Sequence, residues 1–204
     1  MNYYSLFQMP TPMTITGRSS SITNAFINSI IPVVPPTSEK AQLALEILGM
    51  TYETFQCVYC GASATEWDHL RPLVKNKKPT GFISELHNLV PSCGKCNQSK
   101  GNKEWKVWML SKAKLSPTVR GIHDITNRIE RLEAYERWGV PTRIDFEVIV
   151  GKELWEQHWE NCEQVQKLMR KSQKLAQIIN QKIAIGYKVS NPLQDISSSL
   201  GAIR

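Results

Sequence analysis

The chain has 204 residues, 41% of them hydrophobic and 21% charged, which is ordinary for a soluble globular protein long enough to bury a real core and excludes a chain disordered throughout. No apolar run approaches the length needed to cross a bilayer, so no membrane partner is expected. The formal charge of +7 favours an anionic partner, with a merely solvated basic surface as the plain alternative.

Residues 1–18 hold no basic start followed by an apolar run, so no export signal is expected and the protein is read as cytoplasmic. Residues 1–36 close on Pro32-Val33-Val34-Pro35-Pro36 and read as an extended arm or linker. A central domain is expected over residues 37–115. Ser38 suits a helix N-cap, with Glu39 in the first turn. Leu43, Ile47 and Leu48 would then line one helix face up to Gly49.

From residue 57 the chain reads C-V-Y-C, then W-D-H-L-R-P-L, then H-N-L-V-P-S-C-G-K-C-N-Q-S-K-G. Cys57/Cys60 and Cys93/Cys96 are two pairs with two residues between the members. Without an export signal such pairs point to a metal, not to disulfides. A tight turn can aim both thiolates of a pair at one ion. Four thiolates fill a zinc tetrahedron and leave no place for water, so this zinc would be structural. Asp68 and His69 supply different chemistry. A carboxylate is a hard ligand suited to magnesium, and a neutral imidazole is the natural base for a water. Phosphodiester hydrolysis needs both a cation and a base. Neighbours in a strand point oppositely, so a bulge or turn is expected to bring both to one phosphate. Asn97 is a second, neutral oxygen ligand whose position the zinc knuckle would fix. Lys75 to Gly81 reads as a basic loop, and Asn88 to Pro91 as a short extended piece. Trp67 and Trp105 read as local core.

Lys103 onward suits a helix with Trp105, Trp108 and Met109 at helical spacing. Residues 116–186 are expected to be a helical region for DNA binding or dimerisation. Ile122, Ile125, Ile129 and Leu132 mark one helix, stopping before Gly139-Val140-Pro141. Ile144, Phe146, Val148 and Val150 alternate as in a strand, although the same residues could open a helix. A basic helix is expected from Lys152 to about Ile185, with Leu168, Leu175, Ile179 and Ile183 as its buried stripe and Cys162 buried within it. Residues 187–204 read as a flexible tail.

The motif order resembles the HNH endonuclease family in its four-cysteine zinc form, over roughly residues 55–105. The resemblance implies an α+β fold. Its core would be a small ββα-metal unit with a structural four-cysteine zinc site, flanked by mainly helical segments. It makes His69 the general base, Asp68 and Asn97 the ligands of a catalytic Mg2+ or Mn2+, and Asn88 the residue that ties down the loop and orients the base. Asn97 stands where many members have His. Lys100 matches a frequent family lysine, for which a phosphate contact is plausible. His87 is then structural or a minor phosphate contact.

The activity the resemblance implies is divalent-metal-dependent hydrolysis of double-stranded DNA to 5′-phosphate and 3′-hydroxyl ends. Arg71, Lys75, Lys77, Lys78, Lys100 and Lys103, close to the motif, are the candidate phosphate contacts. The helical flanks exceed what the motif needs, so a homodimeric type II restriction enzyme is the preferred role. The alternatives are a non-specific nuclease of phage DNA processing or toxin type, and a zinc module that binds DNA without cutting it.

Overall fold

The structure, a computed structural model, describes residues 10–190. Two compact units divide the chain: Asn24–Trp155, and Met1–Thr23 with Glu156–Arg204. The first contains everything around the motif.

The segment expected as an arm carries helix α1 (Ser19–Asn28), in which Ile27 is fully buried. Beyond it the proline-rich stretch is held by backbone bonds. Ser84 donates its N–H to Pro32 and accepts from Val34, so Val33 and Ser84 form a parallel bridge. Helix α2 (Ser38–Ile47) is capped by Thr37, not Ser38, because the Thr37 hydroxyl accepts from the Lys40 N–H at 3.4 Å. Its buried face is Ala44 with the following Leu48, while Leu43 turns outward.

Strand β1 (Glu66–His69) pairs antiparallel with a second strand, Leu89–Ser92, and His69 lies opposite Leu89. Between them a hairpin replaces the expected basic loop: β2 (Val74–Lys75) and β3 (Lys78–Pro79). Asn76 and Lys77 form its turn with φ of 52° and 61°, the left-handed pair whose twist suits a two-residue hairpin. Leu89–Ser92 is β4, and helix α3 (Gly94–Lys100) follows it directly. Strands β1 and β4 with α3 are the expected ββα unit in an α+β chain.

Helix α4 (Trp105–Met109) is capped by Glu104, whose carboxylate accepts from the Val107 N–H at 2.7 Å. Helix α5 (Ile125–Trp138) ends at Gly139, as its periodicity predicts. The alternating stretch that read as a strand is helix α6 (Phe146–Val150). The Asp145 carboxylate caps the Val148 N–H at 3.2 Å, and only Phe146 of the alternating set is buried, so no second surface holds the segment as a sheet. The core gathers Leu48, Val58, Tyr59, Val90, Trp105, Trp108, Leu132 and Tyr135 around the cysteine knuckles. Tyr59 meets Trp108 edge-on, with ring centroids 5.2 Å apart. Trp67, expected in this core, is half exposed because it faces away from α3.

In the other unit, helix α7 (Lys152–Ser190) runs through the point where the tail was expected to begin, and residues 191–204 lie outside the described residues. Cys162 is buried, as expected. Gln166 donates to the Ser19 carbonyl at 2.9 Å and to the Thr23 hydroxyl at 3.2 Å. The stripe predicted to be buried is not: Leu168, Leu175, Ile179 and Ile183 are 64%, 57%, 48% and 65% exposed. The periodicity was real, but the packed face lies beside it, on Cys162 and Gln166. Among the described residues, no helix is long and apolar enough to cross a membrane.

Candidate active site

The four knuckle cysteines converge. Their sulfurs all lie within 4.8 Å of one another, and the Cys60 and Cys93 sulfurs are 3.7 Å apart. A zinc ion with bonds of about 2.3 Å to four sulfurs sets them about 3.8 Å apart, so the set fits tetrahedral zinc. Two arginines that sequence reasoning did not single out brace it. Arg128, nearly buried on α5, donates to the carbonyls of Cys57 and Val58 at 3.2 Å and is itself held by Asp124. Arg120 donates to the Cys96 sulfur at 3.3 Å, where a thiolate gains a compensating charge.

Next to this cluster a cavity of about 530 Å³ is lined by Asp68, His69 and Asn97, together with Asn24, Asn28 and Asn102. The bulge expected between Asp68 and His69 is not needed. His69 ends β1, so both residues reach the cavity from a regular strand. Asp68 is 4% exposed, and both of its oxygens have partners. The Tyr59 hydroxyl donates to it at 2.7 Å, and the Lys100 ammonium lies 3.1 Å from each of its oxygens. Burial pushes the Asp68 carboxyl above its ordinary range, and the neighbouring Lys100 charge opposes that shift. Burial likewise pushes the Lys100 ammonium down, opposed by Asp68. A carboxylate oxygen has two acceptor positions, so Asp68 retains capacity for a cation, and the oxygen donors of Asp68 and Asn97 fit a hard divalent ion.

Among the described residues, the His69 imidazole is held by one bond, Nε2 to the Ser84 hydroxyl at 2.8 Å. Burial, and next the charge of Lys100, lower its pKa to about 4, so the ring is neutral at physiological pH. Asn97 donates from its amide nitrogen to Glu66 at 2.7 Å. Asn88 is fully buried across the loop that returns from β1. Its amide oxygen accepts from the Arg71 N–H at 2.7 Å, and its nitrogen donates to the carbonyls of Arg71 and Ile83 at 3.1 Å. Asn88→Ala would leave these backbone groups buried without partners. We expect it to lower the unfolding free energy by about 3 kcal/mol in urea titration, and a loss under about 0.5 kcal/mol would remove Asn88 from this role.

The expected phosphate contacts divide. Lys75, Lys77 and Lys78 are exposed on the β2–β3 hairpin, whose first residue, Val74, lines the cavity. Arg71 is paired with Glu136 at 2.6 Å. Lys103 closes the end of α3, donating to the Ser99 carbonyl at 2.8 Å. Lys100 is corrected outright. Its side chain is wholly buried, and it donates to Asp68, to the His69 carbonyl at 2.8 Å and to the Gly101 carbonyl, so it has no reach to a phosphate outside. His87 packs on Trp138 with ring centroids 4.5 Å apart. Tyr59, Ser84, Glu66, Asn24 and Asn28 were missed. Only Glu66 left a signal, since it stands two residues before Asp68 and so on the same strand face.

Residues 57–103 match the family model described as HNH endonuclease. The chain is also 40% identical over 57 residues to the CRISPR-associated endonuclease Cas9 of Corynebacterium diphtheriae. That stretch is 26% of this chain and spans only 5% of that relative's length. No solved structure matches the chain.

Proposed function

Taking residues 57–103 as an HNH endonuclease domain, we propose that the protein is a divalent-metal-dependent DNA endonuclease acting as a type II restriction enzyme. The observation that carries the reading is the convergence of Asp68, His69 and Asn97 on one cavity beside a four-cysteine cluster. His69, neutral and anchored through Nε2, keeps Nδ1 to take the proton of the attacking water. Asp68 and Asn97 would hold the divalent ion. When bound, such an ion neutralises the phosphate and the departing 3′ oxygen. Asn88 fixes the loop that follows His69, and Lys75, Lys77 and Lys78 offer the hairpin's charge to the DNA backbone. The products are 5′-phosphate and 3′-hydroxyl ends. A zinc module that only binds DNA would need the cysteines, but not a neutral imidazole beside two oxygen donors.

The test is a digest of sequenced phage DNA by the purified protein with Mg2+ or Mn2+, followed by end mapping. Discrete fragments support the restriction role, a smear replaces it with non-specific cleavage, and no cutting with either metal overturns the nuclease reading.

We further propose that two copies pair along α7. Its first turns carry Glu153, Glu156, Glu160 and Glu163, while Lys167, Arg170, Lys171, Lys174 and Lys182 follow. Antiparallel pairing sets these opposite charges face to face and covers the stripe of Leu168, Leu175, Ile179 and Ile183. Leu175→Glu should shift the sedimenting mass from two chains to one. A parent that sediments as a single chain ends this proposal.

A further inference from the structure

We infer that Glu66 is the residue that orients the Asn97 amide for cation binding, a positioning role that rests on the nuclease reading. Glu66 and Asp68 leave β1 on the same face, because side chains alternate along a strand. That face lies against α3, where Asn97 and Lys100 are three residues apart and therefore neighbours on the helix surface. Two cross-links result: Asp68 meets Lys100, and Glu66 meets Asn97.

The second link has a directional consequence. An asparagine amide presents an oxygen at one end and an NH2 group at the other, and a half-turn exchanges them. A carboxylate only accepts, so at 2.7 Å it must face the NH2 end. Glu66 thereby fixes the rotation of the amide and leaves Oδ1 as the atom Asn97 can offer to the cavity it lines with Asp68 and His69. Without that constraint the NH2 end can take the same place and present protons to a cation. The knuckle is shaped to the carboxylate as well. A Cβ on Gly94 would stand 2.8 Å from the other Glu66 oxygen, closer than such contacts allow, so a side chain there displaces Glu66.

The test is a double-mutant cycle read as Mn2+ affinity, by titration calorimetry and by the Mn2+ spin-resonance signal, on the full-length zinc-loaded protein without DNA. Glu66→Gln can offer NH2 to Asn97 and release the amide, so Mn2+ binding should weaken about 10-fold to 100-fold, the usual cost of losing a partner behind a metal ligand. In an Asn97→Asp background both ligand oxygens are equivalent and rotation is irrelevant, and the same substitution relieves the repulsion of two facing carboxylates, so it should not weaken Mn2+ binding. Gly94→Ala, which keeps the Glu66 charge but displaces the carboxylate, should reproduce the loss with Asn97 and not with Asp at that position. Zinc content and melting temperature report whether each variant folds. Equal weakening in both backgrounds assigns Glu66 a purely electrostatic or direct ligand role and overturns the inference. No weakening with Asn97 overturns it too, while leaving the nuclease reading intact. A parent protein that binds no Mn2+ and cuts no DNA overturns both.

Discussion

His69→Ala should cut plasmid DNA about 10²-fold to 10⁴-fold more slowly than the parent, the range general-base removal usually costs. Zinc content and melting temperature should not move. The reason for expecting a clean loss is local. Among the described residues, His69 gives the fold one side-chain bond, from Nε2 to Ser84, and its backbone pairing with Leu89 does not depend on the side chain. The neighbouring charge network, Asp68 with Lys100 and Tyr59, does not pass through the imidazole. Residual cutting should remain because Asp68 and Asn97 still line the cavity. A variant that cuts at the parental rate removes His69 from the base role and reopens the choice among the cavity's groups.

Removing the ion that the four cysteines are built to hold should be more damaging still. The four cysteines are not an appendage. Cys57, Cys93 and Cys96 are buried members of the central core, in contact with the same cluster as Tyr59, Trp105, Trp108 and Tyr135. Structural zinc sites contribute about 10–16 kcal/mol to the folding of small zinc peptides, as much as the whole stability of an ordinary domain. Cys60→Ser, or a strong chelator, should therefore abolish the cooperative melting transition of the unit spanning residues 24–155, and all cutting with it. Adding zinc should restore both to the chelated parent and neither to the variant. A metal-free protein that keeps its parental melting curve would make the cluster a cysteine pocket without a structural ion.

What was legible in the sequence follows from which interactions are local. The cysteine spacing, the D-H pair and the Asn at 97 carried the family resemblance that implied the ββα unit, and each of them acts within a turn or one strand pair. Helix α5 was legible from its period and its glycine stop. The errors have two main causes: a competing local cap, and contacts between distant residues. Asp145 decides α6 by capping it, against an alternating pattern that suits a strand. Lys100 read as a phosphate contact because lysine is usually solvated, yet Asp68, 32 residues away in sequence, draws it into the core. Tyr59, Ser84 and Glu66 carry no motif, and their partners are fixed only once β1, β4 and α3 are assembled. The α7 stripe shows the reverse limit. Period alone tells which residues share a face, not whether the single chain covers it.

The bridge between Val33 and Ser84 bears on how small a working fragment can be made. Trimming the protein to residues 37–155 would keep the four knuckle cysteines, both proposed cation ligands and the core cluster, yet it would cut away the bridge partner of Ser84, whose hydroxyl steadies His69. Such a truncation should bind zinc and fold around it, but leave the imidazole loosely tethered. The usable minimum therefore begins upstream of residue 32, in a stretch that composition alone marks as dispensable.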